Sequence, residues 1–295
     1  MMDYPALRAV AAVVQSGSFE RAAAMLGVTP SAISQRVKHL EERLGTVLIE
    51  RGQPCIATEK GAWLCRHMDR VGMLEQELMQ QLPELAAPAQ RVTLAIAANS
   101  DSVGTWFLDA VAEFTRTSDY LMNIAIDDEE NTADWLRRGR VFAAVTSVEK
   151  PVQGCRVTPL GSLRYHATAS PEYMRRHFPD GVTVAALTQA PSLTFDHKDD
   201  LQRLWIKRNF GHDLAHPTHW LPSTQSFVDA CVAGIGWAMN PAQLARDHLA
   251  AGRLVELLPG ATFDRPLYWQ VSRLAADRLA GLTRAVLATA RRELV

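Results

Sequence analysis

The sequence predicts two architectures in one chain: a helical head carrying a small two-stranded wing, and a larger α/β body, joined by one long helix. Three observations carry that reading. Apolar residues recur at helical spacing as far as Gly45, and a seven-residue apolar repeat then runs from Leu64 to Leu85. Beyond PELAAPAQ, residues 83–90, short apolar runs alternate with amphipathic stretches. With 295 residues, 47% of them hydrophobic, the chain can bury more than one core.

The head is predicted from three apolar stripes. These are Leu7, Val10, Ala11 and Val14; then Phe19, Ala22, Ala23 and Leu26; then Ile33, Val37, Leu40 and Leu44. Thr29 is a helix cap with Pro30 in the first turn, so the third helix has a defined start and register. In that register Ser31, Ser34, Gln35 and Lys38 share a face that the core does not use, and Arg36 flanks it. Small and hydrogen-bonding residues on a closely approaching helix suit base edges in a major groove, and nearby cations suit phosphates. A lone polar stripe is more often a solvated face. Here it follows a short GVT turn and precedes TVLIERGQPCIATEKG, a wing carrying Arg51, and the set assembles a winged helix-turn-helix.

Thr58 caps the next helix, predicted from about Glu59 to about Leu85, with Leu64, Val71, Leu78 and Leu85 as a dimerisation seam. The parallel row of Met68, Glu75 and Leu82 contains a charge, so the seam is short. The two prolines of residues 83–90 mark a hinge. In the body, VTLAIA (92–97), MNIAID (122–127) and FAAVTS (142–147) read as strands of a parallel sheet, with helices over 102–114 and 132–139 between them. A second set follows, with RYHATAS, SLTFD, GIGWAMNP and LYWQVSR as strands and a last helix from about Ala275.

A formal net charge of -1 excludes a uniformly basic nucleic-acid binder, so any charged function is local. Four cysteines without a CxxC pair fit neither a disulfide framework nor a zinc ribbon and indicate a reducing, cytoplasmic setting. There is no basic leader and no run approaching ~18 uncharged apolar residues, so neither secretion nor a membrane partner is expected. His212, His216 and His219 have tempting spacing, but Pro217 interrupts them and no carboxylate or thiol converges by sequence; no metal and no cofactor are expected. GIG, residues 234–236, lacks the strand, GxGxxG and helix order of a dinucleotide site, and no nucleophile elbow is present, so an enzyme is not expected.

GSFERAAAMLGVTPSAISQRVKHLEERLGTVLIER closely resembles the signature of LysR-type transcriptional regulators, with Ile49 where that family usually has Phe. The resemblance implies a homodimer or homotetramer binding operator DNA, with RNA polymerase as a further candidate partner. It also implies a domain order of 1–58 for the winged head, 59–89 for the linker helix and hinge, and 90–295 for an effector domain built like a periplasmic binding protein. That last domain would comprise subdomain I, about 90–162 and 267–295, and subdomain II, about 163–266. By position the family's DNA contacts carry over to Thr29, Pro30, Ser31, Ser34, Gln35 and Lys38, with Arg36 and Arg51 on phosphate or minor groove.

In such a fold a ligand sits between the subdomains, at strand carboxyl ends and helix N-termini. The candidates are Asn99, Ser100, Asp101 and Ser102, with Asp127, Thr146, Phe195, Asp196, Thr224 and Ser226. NSDSVGTWF, EENTADWLRRG, FAAVTS, FDHKDD and PLYWQ resemble one branch, the ArgP and LysG regulators of arginine and lysine handling. A basic amino acid needs carboxylates for its cationic groups, which Asp101, Asp127, Asp196 and Asp200 can supply, and donors for its own carboxylate. The plainer alternative is that Asp101 or Ser102 merely caps a helix, and Asp199 another. The alternatives are a LysR-type regulator answering an unrelated metabolite, or a solute-binding or enzymatic α/β protein that does not bind DNA.

Overall fold

A computed structural model describes residues 2–81, 92–127 and 132–295. The chain divides into two compact units, Met1–Val92 and Thr93–Val295, each taken by itself below.

In the first unit α1 (Tyr4–Ser16), α2 (Phe19–Leu26) and α3 (Pro30–Leu44) pack around Val10, Val13, Ala22, Ile33, Val37 and Leu40, all essentially sealed from solvent. Each helix has an explicit start. Asp3 accepts from the Ala6 amide, Ser18 from Arg21 and Thr29 from Ala32, and left-handed Gly17, Gly27 and Gly45 end the three helices. The wing is β1 (Ile49–Glu50) paired antiparallel with β2 (Ile56–Ala57). Glu41 of α3 anchors it by accepting from the amides of Leu48 at 2.7 Å and Ile49 at 3.3 Å. Ile49 is buried in this core. Leu44, expected with the apolar stripe, is 47% exposed at the last position of α3, where the helix ends and fewer neighbours can cover it.

The linker helix α4 (Glu59–Gln81) starts at Thr58, whose hydroxyl accepts from the Gly61 amide. Gly61 is obligatory there, since a Cβ would stand 1.9 Å from the Leu48 carbonyl oxygen. Leu64 and Val71 pack against the unit's own core. Among the described side chains of α4, the exposed large apolar ones are Trp63, Leu74 and Leu78, which a helical projection places on one face. Of the four residues expected in the seam, Leu78 is exposed, Leu64 and Val71 pack on the head and so leave the open face, and Leu85 lies outside the described residues, as do Leu82 and the hinge.

The second unit is built on a seven-stranded mixed sheet. Its strands are β3 (Thr93–Ala98), β4 (Leu121–Ile126), β5 (Ala143–Thr146), β6 (Cys155–Ala169), β9 (Ala238–Pro241), β10 (Val255–Glu256) and β11 (Thr262–Ser272), while β7 (Ser192–Thr194) and β8 (Thr218–Trp220) pair separately in parallel. The expected parallel order holds for β4-β3-β5, but β11 joins β5 antiparallel and β6 joins β11 antiparallel. Strands β6 and β11 run through two lobes. One lobe holds β3–β5, the helix of α5 (Ser100–Ser102), a π turn (Val103–Phe107) and α6 (Leu108–Thr115), with α7 (Thr132–Arg137) and α13 (Ala280–Glu293). The other holds β7–β9 with α8 (Pro171–His177), α9 (Val184–Leu187), α10 (Leu201–Phe210), α11 (Thr224–Val232) and α12 (Ala242–Ala250).

Two boundaries differ from the sequence reading for physical reasons. Strand β6 begins nine residues before RYHATAS, and it accommodates Pro159 and Gly161 where its pairing with β11 shifts register between Leu267 and Tyr268. The last helix starts at Ala280 after a 3-10 turn over Arg273–Ala275.

Candidate functional site

On α3, Thr29, Pro30, Ser31, Gln35 and Lys38 are exposed and Ser34 is half-buried beside them, so the polar face survives folding as one surface. Arg36 is half-buried on the flank of that face. Lys38 lies 3.7 Å from Glu42, an exposed pair too weak to hold the ammonium away from a phosphate. Arg51, at the wing, stacks its guanidinium over the Phe19 ring at 5.1 Å from the centroid, which limits its freedom. The first unit thus presents a polar helix face and a basic wing.

The second unit has a cleft of about 680 Å³, open mouth included, lined from both lobes. The helix expected from residue 102 begins at Ser100, with Asn99 at its cap position and no side-chain capping bond. Asn99, Ser100 and Asp101 therefore enter the cleft at a helix N-terminus, where amide groups and the dipole favour an anion. A π turn follows immediately, a distortion frequent at functional sites. Asp127 reaches the cleft just beyond β4, with one oxygen accepting from the Trp135 indole at 2.9 Å. From the other lobe come Phe195, Asp196, Lys198, Asp199, Asp200 and Leu201, then Thr224, Phe227, Met239, Pro241 and Arg265.

Seven of the ten effector candidates thus share one cleft: Asn99, Ser100, Asp101, Asp127, Phe195, Asp196 and Thr224. The other three do not line it. Ser102 is buried one helical position further on, Thr146 is buried with its hydroxyl accepting from the Val148 amide, and Ser226 is committed to Ser223, which caps α11. Strand-end reasoning could have found Met239 and Pro241 at the close of β9. Arg265 carries no local signal, since β11 brings it there from the far end of the chain.

Five carboxylates, Asp101, Asp127, Asp196, Asp199 and Asp200, face two cations, Lys198 and Arg265, in this lining. Their partners differ. Asp101 accepts from the Tyr165 hydroxyl and the Thr224 hydroxyl, both at 2.6 Å; burial pushes its carboxyl above the ordinary range, and those two hydrogen bonds pull it partly back. Asp196 accepts from the amides of Lys198 and Asp199 and so closes a turn in its own loop, while Asp199 accepts from the amides of Phe195 and of Leu201, the first residue of α10, in keeping with a capping role for Asp199. Asp200 is 3.8 Å from Arg265 and 3.7 Å from Arg203. The remaining wall is apolar, with Leu201, Phe227 and Met239. An anionic pocket with an apolar wall and a helix N-terminus suits a molecule having an aliphatic stem, a cationic end and a carboxylate.

The cysteines and histidines lie elsewhere. The Cys65 and Cys231 thiols are pushed up to about 12 by burial, and burial also raises Cys155, so none carries appreciable thiolate near neutrality. His216 packs against Trp237 at 5.9 Å between centroids, and burial lowers its affinity for a proton. Among the described residues no helix is long and apolar enough to cross a membrane.

A helical head with a wing and a cleft-bearing α/β unit define a DNA-binding sensor of small molecules, and comparison with known proteins gives the family. Residues 5–62 match "Bacterial regulatory helix-turn-helix protein, lysR family" and residues 88–294 match "LysR substrate binding domain". The chain belongs to the LysR family of transcriptional regulators. It is 42% identical over 289 residues to LysG of Mycobacterium tuberculosis, covering 98% of this chain and 94% of that one. It is 40% identical over 290 residues to ArgP of Pseudomonas aeruginosa, covering 98% and 96%. A full-length LysG of Corynebacterium glutamicum, solved with bound effector Arg, superposes with a TM-score of 0.69 at 36% identity over 99% of both chains. This is a LysR-type regulator of the LysG and ArgP kind, and its relatives are regulators rather than enzymes.

Proposed function

We propose that the protein binds operator DNA as a homo-oligomer and that lysine or arginine, entering the cleft of the second unit, alters that binding. One observation carries the choice of effector: five carboxylates against two cations, beside an apolar wall, in one cleft. A basic amino acid brings two cationic groups and one carboxylate, joined by methylenes that Leu201, Phe227 and Met239 can cover. The Arg-bound relative supports the same chemistry. On the DNA side, Ser31, Ser34, Gln35 and Lys38 read the major groove with Thr29 and Pro30 at the helix start, and Arg36 and Arg51 hold the backbone or minor groove. Trp63, Leu74 and Leu78 of α4 pair the protomers.

The test is calorimetric titration of the full chain with lysine, arginine and norleucine, paired with gel shifts on the DNA upstream of its own gene. Lysine or arginine should bind at least tenfold more tightly than norleucine and change the shift. Norleucine binding as tightly as lysine would leave a LysR-type regulator of some other metabolite.

A further inference from the structure

Asp101 looks at first like the natural partner for a ligand ammonium, yet both its oxygens are already engaged. Tyr165, a fully buried residue of β6, donates its hydroxyl to Oδ2 at 2.6 Å, and Thr224 donates to Oδ1 at 2.6 Å from a position 123 residues away in sequence. Ser100 Oγ lies 2.8 Å from Thr224 Oγ1. The Thr224 hydroxyl is thus placed to donate to both Asp101 Oδ1 and Ser100 Oγ, sharing its one proton between them, and the four groups form one cluster. The Thr224 side chain also lies against the turn after Ser102, since a Cβ at Gly104 would be 3.4 Å from its methyl. Asp101 sits in the first turn of a helix in one lobe, Thr224 opens α11 in the other, and Tyr165 stands on a strand shared by both.

We propose that Asp101 is a pin between the two lobes, holding the Ser100 helix and α11 together through Thr224 and Tyr165, and not a group that touches the effector. It is a positioning residue. The proposal deepens the basic-amino-acid reading and rests on it: the lobes are held in register before the ligand arrives, and the cationic groups of the ligand meet the other carboxylates of the cleft lining. A charge-assisted hydrogen bond with two buried hydroxyl partners is strong enough to restrain two helix ends, and preorganisation of that kind slows ligand release.

Tyr165→Phe tests this, because it removes no charge and Tyr165 does not line the cleft. Hydrogen exchange of the unliganded full chain should speed up at least tenfold in both segments 100–107 and 224–232, with the core of α13 unchanged as the folding control. Asp101→Ala, which leaves no unpaired carboxylate, should show the same two-segment pattern. Lysine should bind Tyr165→Phe at least fivefold more weakly, through faster release. Unchanged exchange in segment 224–232 in both variants, or unchanged lysine affinity in Tyr165→Phe, overturns the pin. A wild-type chain that binds neither lysine nor arginine would sink the effector reading, while the exchange pattern would still decide the pin.

Discussion

Gln35 stands exposed on the second turn of α3, and Arg51 is braced over Phe19 at the wing. Their chemistry separates what each can contribute. A glutamine amide pairs two ways with a base edge, so Gln35→Ala should cost about 1–3 kcal/mol of discrimination between operator and mismatched sites with little loss of non-specific affinity. A guanidinium on a phosphate or in the minor groove reads no major-groove base edge, so Arg51→Ala should weaken binding to every sequence and reduce the salt slope by about one unit. Fluorescence anisotropy over a salt series distinguishes the two; equal loss on all sequences for Gln35→Ala would remove it from base reading. Asp101 adds a pH effect of definite sign. Its carboxyl is raised in the folded chain, so the folded state binds more protons than the unfolded one between the ordinary value of 3.8 and the raised value. This group therefore adds stability as pH falls through that window and withholds it above. Relative to Asp101→Asn, the wild type should gain stability on acidification there in urea melts, and parallel curves would contradict the burial.

At the scale of elements, α4 turns one face to the head's core and leaves apolar side chains open on another. Leu64 and Val71 belong to the head's core, so charging them damages the head whatever it does to assembly. Leu74 and Leu78 are 65% and 51% exposed, and a double Leu74→Glu, Leu78→Glu variant places charge on the open face alone. It should dissociate the oligomer in analytical ultracentrifugation while keeping the thermal transition of the head, and an intact oligomer would take α4 out of the interface. The head offers the converse case. Gly61→Ala forces a methyl into the Leu48 carbonyl, so it should destabilise the first unit by about 2 kcal/mol or more, seen as a lower melting temperature with the second unit unaffected.

For the whole molecule, a sensor that couples two sites must do so reciprocally. If lysine or arginine changes operator affinity by some factor, operator DNA must change effector affinity by the same factor, typically worth about 1–3 kcal/mol. Titrating the effector with and without a saturating operator duplex measures this directly, and an affinity indifferent to DNA would mean that cleft and head are uncoupled.

The sequence alone determined what is written in local periodicity and caps. The three head helices, the start of α3 at Thr29, the polar face from Ser31 to Lys38 and the order of the first strands all rest on residues within a few positions of one another. Seven cleft residues were legible once the family resemblance implied a two-subdomain binding fold, because ligand sites in such a fold collect at strand ends and helix starts, which local periodicity locates. Tertiary structure alone decided the rest. It turned α4 so that Val71 packs inward and Leu74 outward, extended β6 through Pro159 and Gly161, committed Asp196 to the amides of its own loop and Ser226 to the Ser223 hydroxyl, and brought Tyr165 and Thr224 to Asp101 and Arg265 to Asp200. These outcomes depend on which distant segments meet. Periodicity marks an apolar or polar face, but the partner that covers it, and the donor that reaches a given carboxylate, are set by long-range packing that no local window contains.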